Sequence, residues 1–409
     1  MNNPTKYQGN EIKYVTKVLE GETWGGSGLG RKGEQSWVGR LEEAFADRFN
    51  VDYAVAFNSG TATLHAALFA LGVKPGDEVI SPALTVIMDT TSTLHANAVP
   101  VYADVLPDTF TLDPKDVERK ITKKTKAIIA VSLYGLPCEM DELKVISKKY
   151  YVPIIEDNAQ CYLSTYKGEP IGAIGKIGSY SFENSKHLSC GEGGIIITND
   201  ESVAHMARKL GGHGFSALTA KGSDVKIDVD KFQHPSFKRH DELGWNYRLN
   251  EFSAAVALAQ LERIDQLVQL RIDSAHALLE VIKDYDFFTP QAIPSYSTHS
   301  YFSLAVIYNK SGLGISWGRF RRAFIDNGGE SLYGCWSVPY LEPLMTSGRF
   351  ADYSPYSYYT NLKYEKGLCP VAESIQPNIM QFKTNYRTPT LAKRQGEILR
   401  KTITGFLNG

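Results

Sequence analysis

Between residues 53 and 200, short apolar runs alternate with longer stretches of helical character. Tyr53–Phe57 (YAVAF), Glu78–Ser81, Val99–Ala103, Lys126–Tyr134 (KAIIAVSLY) and Val152–Asp157 (VPIIED) are brief and rich in β-branched residues, the pattern of buried strands. Thr61–Leu71 (TATLHAALFAL) and Glu139–Tyr150 lie between them without a helix breaker. This alternation predicts right-handed crossovers and a mainly parallel sheet with helices on both faces. Two later runs, Ile177–Phe182 and Gly194–Thr198, lie too close together for a helical crossover, so mixed pairing is expected there.

From Asn250 to about Asp284, Leu258, Leu261, Ile264, Val268 and Ile272 recur at spacings of three and four, predicting one long helix with a single apolar face. It joins a large domain, residues 1–250, to a smaller C-terminal α+β domain, residues 251–409. In the latter, Tyr301–Tyr308 reads as a strand and Ser316–Asn327 and Leu391–Leu407 as helices. Phe215–Asp241 is polar with little periodicity, an inserted loop, and Leu332–Tyr364 is aromatic and irregular. There is no internal repeat and no low-complexity tract.

The 409 residues are 43% hydrophobic and 22% charged, values of an ordinary globular protein that exclude collagen, coiled coil and disorder. With 44 basic and 45 acidic side chains the net charge is −1, so no basic excess points to nucleic acid. No apolar run approaches the roughly 20 residues of a membrane span. The opening MNNPTKYQGNEIKY has no apolar signal core, and the expectation is a soluble cytoplasmic protein. Cys138, Cys161, Cys190, Cys335 and Cys369 are odd in number and form no C-x-x-C pair, and the nine histidines show no ligand spacing. Free thiols and no metal are expected.

Three polar segments stand where strands are predicted to end: Asn58-Ser59-Gly60-Thr61, Ile155-Glu156-Asp157-Asn158-Ala159-Gln160, and Ser181 to Gly194. Ligands of open α/β sheets sit outside the carboxyl ends of strands, so the three suggest one site. Ser-Gly-Thr opening a helix offers unpaired N–H groups, hydroxyls and a positive dipole end, which suits a phosphate or simply caps the helix. Asp157, ending an apolar strand, either serves a site or caps and pairs structurally. Lys186 precedes Gly191, Gly193 and Gly194. Desolvated, its amine becomes a nucleophile towards aldehydes; solvated, it is an ordinary surface charge. A phosphate cradle, a strand-end carboxylate and a lysine together are what pyridoxal phosphate (PLP) requires for its phosphate, its pyridine nitrogen and its aldehyde. Gly28-Leu-Gly-Arg-Lys-Gly33 matches G-x-G-x-x-G but has no strand before it and no clear helix after it, so a flexible entry loop is expected rather than a dinucleotide site.

The blocks NSGTATLHAAL, GDEVISPALT, VPVYADVLPDTFTLDP, SLYGLPCEMDEL, IEDNAQ, SYSFENSKHLSCGEGG and GWNYRLNEFSAA, in this order, resemble the DegT/DnrJ/EryC1/StrS sugar aminotransferase family of PLP fold-type I. The resemblance runs from about Trp24 to the final helix. It implies an α/β large domain with a mainly parallel mixed sheet sandwiched by helices, and a smaller C-terminal α+β domain. By resemblance, Lys186 is the Schiff-base lysine, Asp157 the carboxylate beside the pyridine nitrogen, and Gln160 the side chain near the ring hydroxyl. Ser59, Gly60, Thr61 and Ser181 match the phosphate-binding positions. Asn246, in GWNYR, matches an asparagine that reaches the neighbouring subunit's cofactor, which implies a homodimer with shared active sites.

At one position the chain departs from the family. In Pro82-Ala83-Leu84-Thr85-Val86, Val86 stands where the family usually places an aromatic residue or histidine on the cofactor ring, and offers apolar contact only. His187 is given no catalytic role. The resemblance implies transfer of an amino group from glutamate or glutamine to a keto-sugar, usually nucleotide-linked, or to a cyclic polyol ketone. Three rival functions are a PLP-dependent sugar dehydratase, which carries His where Lys186 stands, a non-catalytic PLP-binding regulator, and a nicotinamide oxidoreductase using residues 28–33. The 215–241 and 332–364 segments are expected to shape the acceptor pocket.

Overall fold

The computed structural model describes residues 5–21, 36–222 and 229–408. The glycine motif at 28–33, Trp24 and the centre of the 215–241 insert lie outside the described residues.

Seven strands form the main sheet: β1 (Tyr53–Phe57), β2 (Glu78–Pro82), β3 (Val99–Ala103), β4 (Thr125–Val131), β5 (Ile154–Asp157), β6 (Ile177–Ser181) and β7 (Gly194–Thr198). Their spatial order is β1-β7-β6-β5-β4-β2-β3. Only β7 runs against the others, pairing antiparallel with both β1 and β6, while β2 to β6 pair in parallel. The mixed pairing expected from the short spacing is therefore present. β4 ends at Val131 rather than Tyr134 because Leu133–Gly135 winds into a 3₁₀ turn with Tyr134 at φ 62°.

Alternation along the strands divides the core into two layers. Ile129, Ile155 and Ile196 pack with Leu64, Leu68, Ala204 and Ala207 on one face. Helix Gly60–Ala70 lies there against the sheet and beside helix Glu201–Gly211, which packs on the sheet as well, and Ala62 to Leu68 are all buried, so this helix lacks a polar stripe. On the other face, Ile128, Ala130 and Ile154 meet Val117, Met140 and Leu143. Ala54, Ala56, Ile195 and Ile197 meet helices Trp37–Phe49 and Glu251–Leu261.

The single helix predicted from Asn250 to Asp284 is two, Glu251–Leu261 and Ile264–Ile282. The apolar period continues across the break, but Glu262 and Arg263 at the junction are engaged by the N-terminal helix Glu11–Leu19. Asn10 and Tyr14 donate to the Glu262 carboxylate, and Arg263 approaches Glu11 at 3.5 Å.

The C-terminal region is a four-stranded antiparallel sheet in the order Phe288–Pro290, Ser303–Tyr308, Ile379–Lys383, Tyr333–Gly334. Helices Ile264–Ile282, Trp317–Asp326 and Pro389–Leu407 contribute to its core. Between Tyr333 and Tyr364 the chain forms short 3₁₀ and helical turns, matching the expected irregularity, and the insert contains a short helix, Val229–Gln233. No helix among the described residues is long and apolar enough to cross a membrane.

Candidate active site

Because β1, β2, β4, β5 and β6 share one direction, their C-terminal ends open onto one edge of the sheet, where β7 begins. That edge carries Ser59-Gly60-Thr61, the Ala83–Val86 turn, Tyr134, Asp157–Gln160 and the loop after Ser181.

Asp157 is the last residue of β5 and is 4% exposed. Ala159 N–H donates to its Oδ1 at 2.9 Å, a local turn that aims the carboxyl out of the strand end. Burial pushes its pKa up, while the Ala159 N–H and the Lys186 charge pull it down. Gln160 is held by the raised backbone of the 3₁₀ turn, with Tyr134 N–H donating to its Oε1 at 2.9 Å.

Lys186 lies on the excursion between β6 and β7. The base of that excursion is closed by Phe182 N–H to Gly193 O at 2.8 Å and Cys190 N–H to Phe182 O at 3.1 Å. Burial lowers the Lys186 pKa, opposed by Asp157 and Glu183, and its Nζ stands 4.6 Å from the centre of the Phe302 ring. The lysine is therefore not a solvated surface charge. Desolvation makes the amine give up its proton more readily than a free one, although the Asp157 carboxylate pulls the other way.

Ser59 caps helix Gly60–Ala70, its Oγ accepting from Ala62 N–H at 3.1 Å. The capping alternative is thus realised, yet the Gly60 and Thr61 N–H groups take no acceptor among the described residues. A Cβ on Gly60 would stand 2.7 Å from Ser181 Cβ, so only glycine lets the helix start come this close to the end of β6. Gly194 is held likewise, its would-be Cβ lying 2.7 Å from Ser59 O. Ser181 is fixed through its carbonyl, which accepts from Tyr162 Oη at 2.7 Å.

Val86 is half-buried after β2. Its neighbour Ile87 lines a cavity of about 540 Å³ with Trp336, Ser337, Glu342 and Leu344. Tyr134 Oη donates to Cys335 Sγ at 3.2 Å, which ties this cavity's wall to the turn that holds Gln160. Asn246 is exposed beside the cradle of its own chain, with Asn58 Nδ2 donating to its carbonyl at 3.3 Å. His187 is buried and its Nε2 meets Ser300 O at 2.9 Å.

Three further residues at this edge escaped the sequence. Phe302 gave no signal. Arg271 continues the buried face of Ile264, Val268, Ala275 and Leu278, and a charge in that apolar register was a readable sign. Asp89, buried at the start of helix Met88–His95, neighbours Asp157 only through the fold.

The residues present fit pyridoxal phosphate. A helix N-terminus opened by a glycine that no larger residue could replace suits a phosphate. A buried carboxylate at a strand end suits a pyridinium, and a desolvated lysine facing it suits an aldehyde.

The profile of the DegT/DnrJ/EryC1/StrS aminotransferase family matches residues 6–385. The chain is 35% identical over 267 residues to GDP-perosamine synthase of Escherichia coli O157:H7, covering 65% of this chain and 67% of that protein. It is 35% identical over 301 residues to L-glutamine:2-deoxy-scyllo-inosose aminotransferase of Micromonospora echinospora, covering 73% and 70%. The X-ray structure of the aminotransferase from Psychrobacter cryohalolentis superposes with a TM-score of 0.81 at 26% identity, covering 100% of this chain and 98% of that one.

Proposed function

The chain belongs to the DegT/DnrJ/EryC1/StrS aminotransferase family, and on that premise we propose that it moves an amino group from glutamate or glutamine to a keto-sugar or a related cyclic polyol ketone, using PLP. The observation that carries this is the meeting of Lys186 and Asp157, both desolvated, at the same sheet edge as the glycine-opened helix. The two curated relatives, one named for a nucleotide-linked amino sugar and one for a cyclitol ketone, support both acceptor classes.

When bound, PLP supplies an electron sink for the charge that develops at the donor's α-carbon. Lys186 Nζ would hold the cofactor through its aldehyde, and the same amine is placed to move the proton at the donor's α-carbon. Asp157 holds a proton on the ring nitrogen. Gly60 and Thr61 N–H, with the Ser59 and Ser181 side chains, bind the phosphate. Gln160 orients the ring through its hydroxyl, and Val86 covers one face by apolar contact. The cavity lined by Ile87, Trp336 and Glu342 receives the acceptor. Asn246 completes the site of the other protomer in a homodimer. The free thiols are consistent with a cytoplasmic enzyme.

Borohydride reduction of the PLP-loaded protein followed by peptide mapping tests the assignment. The label is expected on Lys186, and Lys186→Ala is expected to fold yet give no amino transfer. A label on another lysine, no label at all, or full turnover by Lys186→Ala would overturn it.

A further inference from the structure

Asp89 has no role in the chemistry described so far, yet it is a completely sealed carboxyl at this edge. It is fully buried in the first turn of helix Met88–His95. Thr85 Oγ1 donates to its Oδ2 at 2.6 Å, while its Oδ1 is closed off from solvent and receives no donor. Its backbone is locked as well, since Ser92 Oγ and Thr93 Oγ1 donate to Asp89 O at 3.1 and 2.9 Å. The Asp89 carboxyl lies within hydrogen-bonding reach of Asp157.

Two carboxylates sharing one dry space cannot both be ionised, and the proton goes to the one with fewer compensating partners. Asp157 receives the Ala159 N–H and the field of Lys186. Asp89 receives one hydroxyl, and no cation pairs with it among the described residues. Tyr102, packed nearby on β3, is itself pushed towards its neutral form by burial, and its hydroxyl is shared with Thr90 at 2.9 Å. A proton on Asp89 removes the buried charge at the orphaned oxygen and turns a like-charge contact into a donated hydrogen bond. Burial and Asp157 both push Asp89 well above the usual carboxylate range, in agreement with the contacts.

We propose that Asp89 is a positioning residue of the amino-transfer site: it remains protonated at neutral pH and donates to Asp157, which is thereby kept ionised and aimed at the cofactor's ring nitrogen. The role in amino transfer rests on the function proposed above; the shared proton does not.

Infrared spectroscopy of the cofactor-free protein reads the proton directly, and the PLP-loaded protein reads its consequence. At neutral pH the difference spectrum of wild type minus Asp89→Asn is expected to show the carbonyl stretch of a buried carboxylic acid; Glu156, which burial raises to about 7, contributes to both proteins and cancels. Asn keeps an N–H donor towards Asp157, so Asp89→Asn is expected to bind PLP like the wild type and keep the pH profile of its visible absorbance. Asp89→Ala has no donor, and is expected to bind PLP at least about tenfold more weakly, with a displaced pH profile. The proposal is overturned if that difference band is absent, or if Asp89→Ala matches the wild type in both affinity and profile. Failure of the wild type to take up PLP would overturn the functional assignment and the positioning role, while an Asp89-dependent band in the cofactor-free protein would still establish the shared proton.

Discussion

A guanidinium nitrogen of Arg271 donates to the backbone carbonyl of Ser185, the residue immediately before Lys186. Another donates to Phe302 O at 2.7 Å, and the Phe302 ring lies beneath Lys186 Nζ. One buried side chain on helix Ile264–Ile282 thus fixes both the lysine loop and the entry to strand Ser303–Tyr308. Burial lowers the Arg271 pKa to about 9, which leaves it cationic at neutral pH.

Arg271→Met should therefore strip two part-buried carbonyls of charged donors and cost about 1–3 kcal/mol. Arg271→Lys should recover little, because one ammonium cannot span both acceptors with the geometry of a planar fork. Urea unfolding gives the stability loss and PLP titration the loosening of the lysine loop. An unchanged midpoint together with unchanged PLP affinity in Arg271→Met would contradict the clamp.

Gly60→Ala places a methyl group 2.7 Å from Ser181 Cβ. Neither partner can rotate away, since both contacts are at the backbone and Cβ. The strain should lower stability by about 1–3 kcal/mol and open the phosphate cradle, weakening PLP. Adding Ser181→Gly removes the clashing atom, so the stability of Gly60→Ala/Ser181→Gly should exceed the sum of the two single changes. Strict additivity of the unfolding free energies would show that the two positions do not press on each other.

The strands of the large sheet were legible because burial on both faces leaves short runs rich in Val and Ile, and Tyr53–Phe57, Val99–Ala103 and Gly194–Thr198 were placed to the residue. The candidate site was legible for a related reason, since polar residues at the ends of such runs either cap the next helix, as Ser59 does, or serve a site. The break after Leu261 was hidden because its cause lies in the docking of a distant helix on Glu262 and Arg263, while the local apolar period runs on unchanged. Strand Ile379–Lys383 (IMQFK) was hidden for another reason. Its pairing with Ser303–Tyr308 joins segments far apart in the chain, and its own five residues carry little pattern. Asp89 could be seen as a polar residue, but only the sheet order, in which β2 and β5 flank β4, brings it to Asp157.

His299 is a ring whose protonation the fold resists, held between two partners that fix its tautomer. Tyr301 N–H donates to its Nδ1 at 2.9 Å, and its Nε2 faces Gln291 Oε1 at 3.0 Å. One nitrogen must accept and the other donate, which is the neutral imidazole. Burial lowers its pKa to about 3, against about 6.5 in an unfolded chain. The unfolded state takes up the proton first as pH falls, so this stability is complete above about pH 6.5 and is lost progressively towards pH 3. The buried carboxyls Asp89 and Asp157, raised in the fold, act with the opposite sign, so a comparison between variants is required. Between pH 7.5 and 5 the wild type should lose about 2 kcal/mol more unfolding free energy than His299→Gln. Equal losses would mean that His299 titrates normally in the fold.

Trp336 is 57% exposed at the rim of the cavity that begins at Ile87. A large indole left in water is costly unless something covers it, and the same cavity supplies Ile87 and Leu344 for an apolar face and Ser337 and Glu342 for hydroxyls. That mixture matches a sugar ring, which offers C–H bonds on its faces and hydroxyls at its edge. Cys335, the residue before it, is joined to Tyr134, so a ligand on the indole lies next to the turn that holds Gln160. If the cavity receives the acceptor, Trp336→Ala should raise the acceptor KM by about tenfold. Its effect on conversion of the bound cofactor by glutamate should be small, because that half-reaction does not use this wall. Glu342→Gln should act in the same direction and more weakly. Stopped-flow measurement of the two half-reactions separates the cases, and an equal slowing of both would place Trp336 in the support of the cofactor site instead.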